Sequence, residues 1–353
     1  MVCLCRGNSS TFAKTPVDLA NCPPLDLESR GLLMSEFAKP VVYISRCITF
    51  EAVRYNADIV SSKFVDALKP FITPITHCPE VEIGLPIPRQ TLRIVSDDKE
   101  MTKLRLVQPS TGVDLTEKMT KWVKQTLDEM PEVDGFILKG KSPSSGAYDV
   151  KIYPSKGDKP AALTGRGAGF FGGEVVRRFP DKIIEDDGRL NNDDISDHFL
   201  KRIFLSAAFR VVKKSGKIKE LMKFQEQNKL LFMSYNQRYM RVMGNICANR
   251  EKKPFEEVIE KYEKNMLLCV KDIYKVSNII NAFEHAFGYF SEKLCPKEKK
   301  YFLEKLAKYR VGGANINIPI TLMKSYIIRF DENYLAGQTF FESYPEVLLE
   351  RKF

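Results

Sequence analysis

The apolar pattern of this chain changes character once. From Lys39 to about Asn192, short apolar runs alternate with amphipathic stretches. Beyond "NNDDISDHF" every periodic segment repeats at helical spacing. The two patterns bury their apolar residues in different ways, so a single uniform core cannot serve both. The first predicts an α/β domain, a mainly parallel sheet with flanking helices, and the second an all-α domain. At 353 residues, more than one core is also the expectation from length. The chain divides into a loosely ordered extension (1–37), an α/β domain (38–192), a connecting helix (193–215) and a helical domain (216–353).

Within the first pattern, "PVVYIS", "ITPITH", "TLRIV", "KLRLV", "DGFILKG" and "DVKIYP" read as strands. "DIVSSKFVDALKPF" and "LTEKMTKWVKQTLDEM" read as amphipathic helices. Asn192 or Asp193 is placed to cap a helix through "HFLKRIFLSAAFRVVKKSG", and Gly216 to end it. Pro254, Pro296 and Pro319 fall where later helices start or break. The extension carries Pro16, Pro23 and Pro24 and has no sustained periodicity.

No apolar run approaches the roughly 18 residues that a membrane span needs. The first residues also lack the continuous apolar stretch of a secretory signal, so a cytoplasmic protein without a membrane partner is expected. The formal net charge of +10 favours acidic partners, nucleic acid among them. Eight scattered cysteines in such a chain do not suggest a disulfide framework. Cys247 and Cys269 read as buried structural thiols. Cys3 and Cys5 have no second pair with which to complete a zinc site.

"GAGFFG" (167–172) matches a dinucleotide-binding pattern, with Glu185, Asp186 and Asp187 following at a suitable distance. That motif must leave a strand directly, whereas "SKGDKPAALTGR" separates it from the strand at Val150. A glycine-rich turn entering a short helix is the better reading. Cys47 and Cys78 each follow a strand, where open α/β sheets keep their ligand crevice. Arg54 beside Cys47, and Glu80 and Arg89 beside Cys78, add charge that packing does not need. The small-residue loop "KGKSPSSG" leaves a third strand, and such loops let backbone approach a ligand closely. In the helical half Lys223, Lys229, Arg238 and Arg241 outnumber nearby acids, with Tyr235 and Tyr239 interleaved. That mixture suits either RNA phosphates and unstacked bases or a solvated helix face over core tyrosines.

Taken in series, "ISRCITFEAVRYN", "CPEVEIGLPIPR", "RLVQPSTGVDLTEKM", "DGFILKGKSPSSG" and "GAGFFGGEVVRRFP" resemble the iron–sulfur-dependent thiouracil desulfurase (TudS) family. "FQEQNKLLFMSYNQ", "NAFEHAFGYF", "YRVGGANINIPITLMKSYI" and "YLAGQTFFESYPE" resemble the YbgA-type helical domain. Fusions of the two (RudS-type) act on 4-thiouridine, including in tRNA. The resemblance covers about residues 39–353. It implies a [4Fe–4S] cluster held by three cysteines with one open iron, which takes the sulfur of a thiolated uracil. Cys47 and Cys78 match two ligands, and the third position is Ser145. Glu80 and Ser145 become candidate catalytic residues, and Arg54, Lys139, Lys141, Ser142 and Ser144 candidate substrate contacts. Lys223, Lys229, Arg238 and Arg241 become candidate tRNA contacts. A second departure is Gln225, which stands where the family has a histidine.

A serine hydroxyl is a harder and far less acidic donor than a thiol. Three outcomes follow from it. Ser145 ligates as an alkoxide; a thiol of the extension (Cys3, Cys5 or Cys22) takes its place; or the cluster is lost and an RNA-binding protein remains.

Overall fold

The structure is a computed structural model that describes residues 37–98, 100–155 and 161–349. The extension predicted as loosely ordered lies outside these residues, apart from Phe37, as do Cys3, Cys5 and Cys22.

The α/β part holds two sheets. The first is wholly parallel, in the order β2-β1-β6-β9, from β1 (Val41–Ser45), β2 (Thr73–His77), β6 (Gly135–Leu138) and β9 (Ile183–Asp186). β1 and β6 read as unbroken apolar runs because both sheet faces are covered. Alternate side chains go to opposite faces. Val42, Ile44 and Ile137 enter one core, while Tyr43, Phe136 and Leu138 enter the other.

The second sheet has the order β5-β4-β3-β7-β8, from β3 (Arg93–Ser96), β4 (Leu104–Gln108), β5 (Val113–Asp114), β7 (Val150–Pro154) and β8 (Thr164–Gly167). Only β3 and β7 pair in parallel in it; the remaining pairs are antiparallel. The parallel sheet is therefore as expected, with a mixed sheet beside it. β5, β8 and β9 were not anticipated. β8 reads "TGRG", with no apolar residue to mark it.

The helices α1 (Lys63–Leu68), α2 (Pro79–Glu82), α3 (Thr116–Asp128) and α4 (Phe170–Arg178) accompany these strands. α1 is shorter than its amphipathic stretch suggested, because Ser62 caps it by accepting from the Val65 N–H at 3.3 Å. α5 (Asp193–Ser215) fills the predicted span. Asn192 Oδ1 accepts from the Asp194 and Ile195 N–H groups, and Gly216 closes the helix at φ 65°. One stretch of α5, Phe199, Leu200, Ile203 and Phe204, packs in the sheet core, and the next, Leu205, Phe209 and Val212, in the helical core.

The rest of the chain is helical: α6 (Ile218–Gln227), α7 (Lys229–Cys247), α8 (Phe255–Cys269), α9 (Val276–Gly288), α10 (Pro296–Arg310), α11 (Asn317–Phe330) and α12 (Asn333–Ala336). Cys247 and Cys269 are buried in this core, as read from sequence. Among the described residues no helix is long and apolar enough to cross a membrane.

The "GAGFFG" segment does leave a strand directly, since β8 ends at Gly167 and α4 starts at Phe170. It is nonetheless filled by protein. The N–H groups of Gly169, Phe170, Phe171 and Gly172 donate to carbonyls of Pro143, Ser144 and Gly146, at 2.7 to 3.2 Å. The first turn of α4 thus holds the "SPSSG" loop where a phosphate would otherwise sit. A Cβ on Gly172 would overlap the carbonyls of Ser145 and Gly146. Gly172→Ala should lower the unfolding free energy in urea by about 1–3 kcal/mol. Gly165→Ala, which meets open space, should leave it nearly unchanged.

Candidate functional site

Parallel pairing sends the C-terminal ends of β1, β2 and β6 out along one sheet edge. Ser45 pairs with His77 in register, so Cys47 and Cys78 follow on adjacent loops. The loop after β6 is fastened to its neighbours. The Lys139 N–H donates to Ser45 Oγ at 2.9 Å, and Lys139 Nζ pairs with Asp187 at 2.9 Å. The Gly140 N–H also donates to Asp187, at 2.9 Å.

These loops enclose a cavity of about 390 Å³, on whose wall Cys47, Cys78, Glu80, Arg89, Ser142 and Ser145 meet. Arg54, Lys139 and Lys141 line it as well. Residues from three separate stretches that the sequence reading singles out thus meet here. Ser144 is the exception. It is fully buried behind the wall, donating to Glu80 Oε1 at 2.5 Å and sharing a 3.0 Å bond with Ser142 Oγ. Ser142 Oγ in turn accepts from the Ser145 N–H at 3.2 Å.

Cys78 caps α2, with Pro79 at its first position. Its Sγ lies 3.3 Å from Glu80 Oε2 and 3.7 Å from the Val53 carbonyl. Arg89 approaches the same groups, with one guanidinium nitrogen 3.8 Å from Cys78 Sγ and 3.7 Å from Glu80 Oε2. Its other terminal nitrogen donates to the Val53 carbonyl at 2.8 Å. The Arg89 side chain is only 5% exposed. Burial, then the nearby Glu80 charge, pushes the Cys47 thiol up to about 11 and the Cys78 thiol up to about 12. Both shifts hold the thiols in their neutral form at pH 7.

Two roles are not legible in the sequence. Arg89 stands out there as a charge beside Cys78, but no pattern points to its contact with Glu80. Asp187 was read only as part of an acidic run after "GAGFFG", whereas it anchors Lys139 and Gly140.

In the helical part Lys223, Lys229, Arg238 and Arg241 are all exposed. Tyr235 is not available for stacking. It is 6% exposed, and its hydroxyl bonds His198 Nδ1 at 3.0 Å. Tyr239 is half-buried against the same core.

Residues 42–187 match the family described as "2-thiouracil desulfurase". Residues 229–345 match the "Protein of unknown function (DUF1722)" family. A curated relative, "Uncharacterized protein YbgA" of Escherichia coli (strain K12), is 22% identical over 161 residues, 45% of this chain and 95% of that protein. A solved structure, "[4Fe-4S]-dependent thiouracil desulfidase TudS", is 24% identical over 43% of this chain and 93% of its own. Its TM-score is 0.32, too low to carry an argument. The likeness read from the motifs is thus found again in both halves of the chain.

In metal-free protein the raised thiol pKa values should slow alkylation. Raising a pKa removes thiolate, so labelling of Cys47 and Cys78 should climb roughly ten-fold per pH unit between about pH 8 and 10. An exposed thiol levels off near its usual value of about 8.5. Peptide mapping by mass spectrometry reads the two sites separately, and levelling by pH 9 would show that they are not shielded.

Proposed function

We propose that this chain, in which a 2-thiouracil-desulfurase-type segment is joined to a YbgA-like helical segment, removes sulfur from a thiolated uracil. The substrate is 4-thiouridine in tRNA or the corresponding nucleotide. The observation that carries the reading is the meeting of Cys47, Cys78, Ser145 and Glu80 on one cavity wall, at the ends of three adjacent parallel strands.

The chemistry of the donor set on this wall suits an iron–sulfur cluster, with one changed donor. Cys47 and Cys78 supply two thiols, and Ser145 supplies a hydroxyl at the third position. Among the described residues no three of Cys, His, Asp and Glu form a ready metal site, so in this reading the third donor is the Ser145 hydroxyl or a thiol of the extension. Such a cluster, when bound, supplies a Lewis-acidic iron able to take a thiocarbonyl sulfur.

The remaining work falls to the chain. Overall, C=S and water become C=O and hydrogen sulfide. Glu80, fixed by Ser144 and faced by Arg89, takes a proton from the attacking water and returns it to the departing sulfur. Ser142 joins the cavity wall to Glu80 through Ser144. Arg89, a permanent cation, balances the negative charge that forms when Cys78 gives up its proton. At the rim Lys141 is exposed and Arg54 half-exposed, so both can reach a phosphate. Lys139 is already held by Asp187 and serves mainly to set the loop. We assign Lys223, Lys229, Arg238 and Arg241 to RNA binding; with Tyr235 buried, that binding is electrostatic.

Ser145→Cys should complete a three-thiol set without moving the backbone, because the two residues are nearly isosteric. After anaerobic reconstitution the variant should hold close to four irons per chain, the content of one such cluster, and the parent fewer. It should also release sulfide from a 4-thiouracil compound faster. Equal iron and turnover in both would make Ser145, or a thiol of the extension, a sufficient ligand. Iron retained by neither would favour the RNA-binding reading.

Replacing Lys223, Lys229, Arg238 and Arg241 together should weaken tRNA binding. The log–log salt slope should fall by roughly 0.7 to 0.9 for each phosphate that is no longer neutralised. An unchanged slope would mark this face as merely solvated.

A further inference from the structure

A second cavity, of about 330 Å³, contains a charge that nothing in the proposed reaction uses. Arg202, on α5, lines it and is 8% exposed. One of its terminal nitrogens donates to the Asp181 carbonyl at 2.8 Å and the other to the Lys271 carbonyl at 3.5 Å. Of the five N–H donors on a guanidinium, the rest have no acceptor among the described residues. The carboxylates of Asp181, Glu185 and Asp272 act on Arg202 through space, and among the described residues none comes to ion-pair distance. Burial lowers its pKa, yet a guanidinium stays charged in proteins. A buried cation with no carboxylate in direct contact is costly unless something compensates it.

The surroundings do so only in part. Lys182, Arg189, Arg202 and Lys271 line the cavity, against Asp181, Glu185 and Asp272. Glu185 is already taken by Arg189 at 2.7 Å, and Asp181 and Asp272 are exposed at the surface. His198, beside Arg202, is held near pKa 4, by burial first and by the Arg202 charge second, so it is neutral at pH 7. The remaining wall is apolar, with Val176, Pro180, Leu267 and Leu268. The cavity thus mixes apolar wall with charged groups of both signs, of which Arg202 is the buried one, a lining that suits a small molecule carrying an anionic group on an apolar body. The planar fork of arginine matches phosphate and carboxylate oxygens.

We propose that this cavity is a second ligand site, taking a small organic anion whose phosphate or carboxylate is held by Arg202 and whose apolar body lies against Leu267 and Leu268. The site stands independently of the desulfurase reading.

Calorimetry and thermal melting of the full chain with phenyl phosphate and with benzoate test it, and the stronger binder identifies which oxyanion is preferred. At least one probe should bind at millimolar concentration and raise the melting temperature. Arg202→Gln should weaken binding by roughly ten-fold or more, as expected when charge-assisted hydrogen bonds are removed. Should that variant fail to fold, Lys182→Ala combined with Lys271→Ala keeps the backbone hydrogen bonds and should weaken binding roughly two- to five-fold. Arg54→Ala with Lys141→Ala, at the other cavity, should leave benzoate binding unchanged and remove at most a separate phenyl phosphate site. The proposal is overturned if neither probe binds. It is equally overturned if binding survives the Lys182/Lys271 pair and disappears with Arg54 and Lys141.

Discussion

Parallel pairing of β1 with both β2 and β6 is the constraint on which the site depends. Strands running the same way leave the sheet at the same edge, so three loops distant in sequence emerge side by side. The register sets Ser45 against His77, and each cysteine comes within two residues of that pair. Antiparallel pairing would send neighbouring loops to opposite edges, and Cys47, Cys78 and Ser145 would never meet.

The third loop needs more than a strand end, because small residues do not hold their own shape. α4 supplies the support. Its first N–H groups, which a helix leaves without internal partners, are satisfied by the carbonyls of residues 143–146. Ser142, Ser144 and Glu80 then form a continuous hydrogen-bonded run that ties this loop to the one after β2. Arg89 extends the run to Cys78. The polar groups behind the cavity wall thus support one another, which favours a single fixed arrangement.

How much of this could be read from the sequence varied with the kind of interaction. β1, β2 and β6 were legible because buried parallel strands appear as apolar runs, and α5 because both of its caps are spelled out. β8 and β9 were not. "TGRG" has no apolar signature, and "IIED" ends in the charges that face neighbouring loops. The "GAGFFG" segment departs from its sequence reading, because "TGRG" hid the strand that leads into it. Its helix start does follow a strand, and the first N–H groups of that helix are taken by the loop docked against them. Tyr235 shows the limit of composition: a tyrosine between basic residues can as easily complete a core, and here it does. The convergence of Cys47, Cys78 and Ser145 came from strand-end position together with family likeness, whereas the Arg89 and Asp187 interactions depend on folding alone.

The most direct test is the location of iron in crystals of anaerobically reconstituted protein, from anomalous scattering at the iron edge. One compact peak is expected in the strand-end cavity, bordered by Cys47 Sγ, Cys78 Sγ and the Ser145 side chain. A cavity without iron, with both thiols still hydrogen-bonded to protein atoms, would contradict it, as would iron held at any other set of residues.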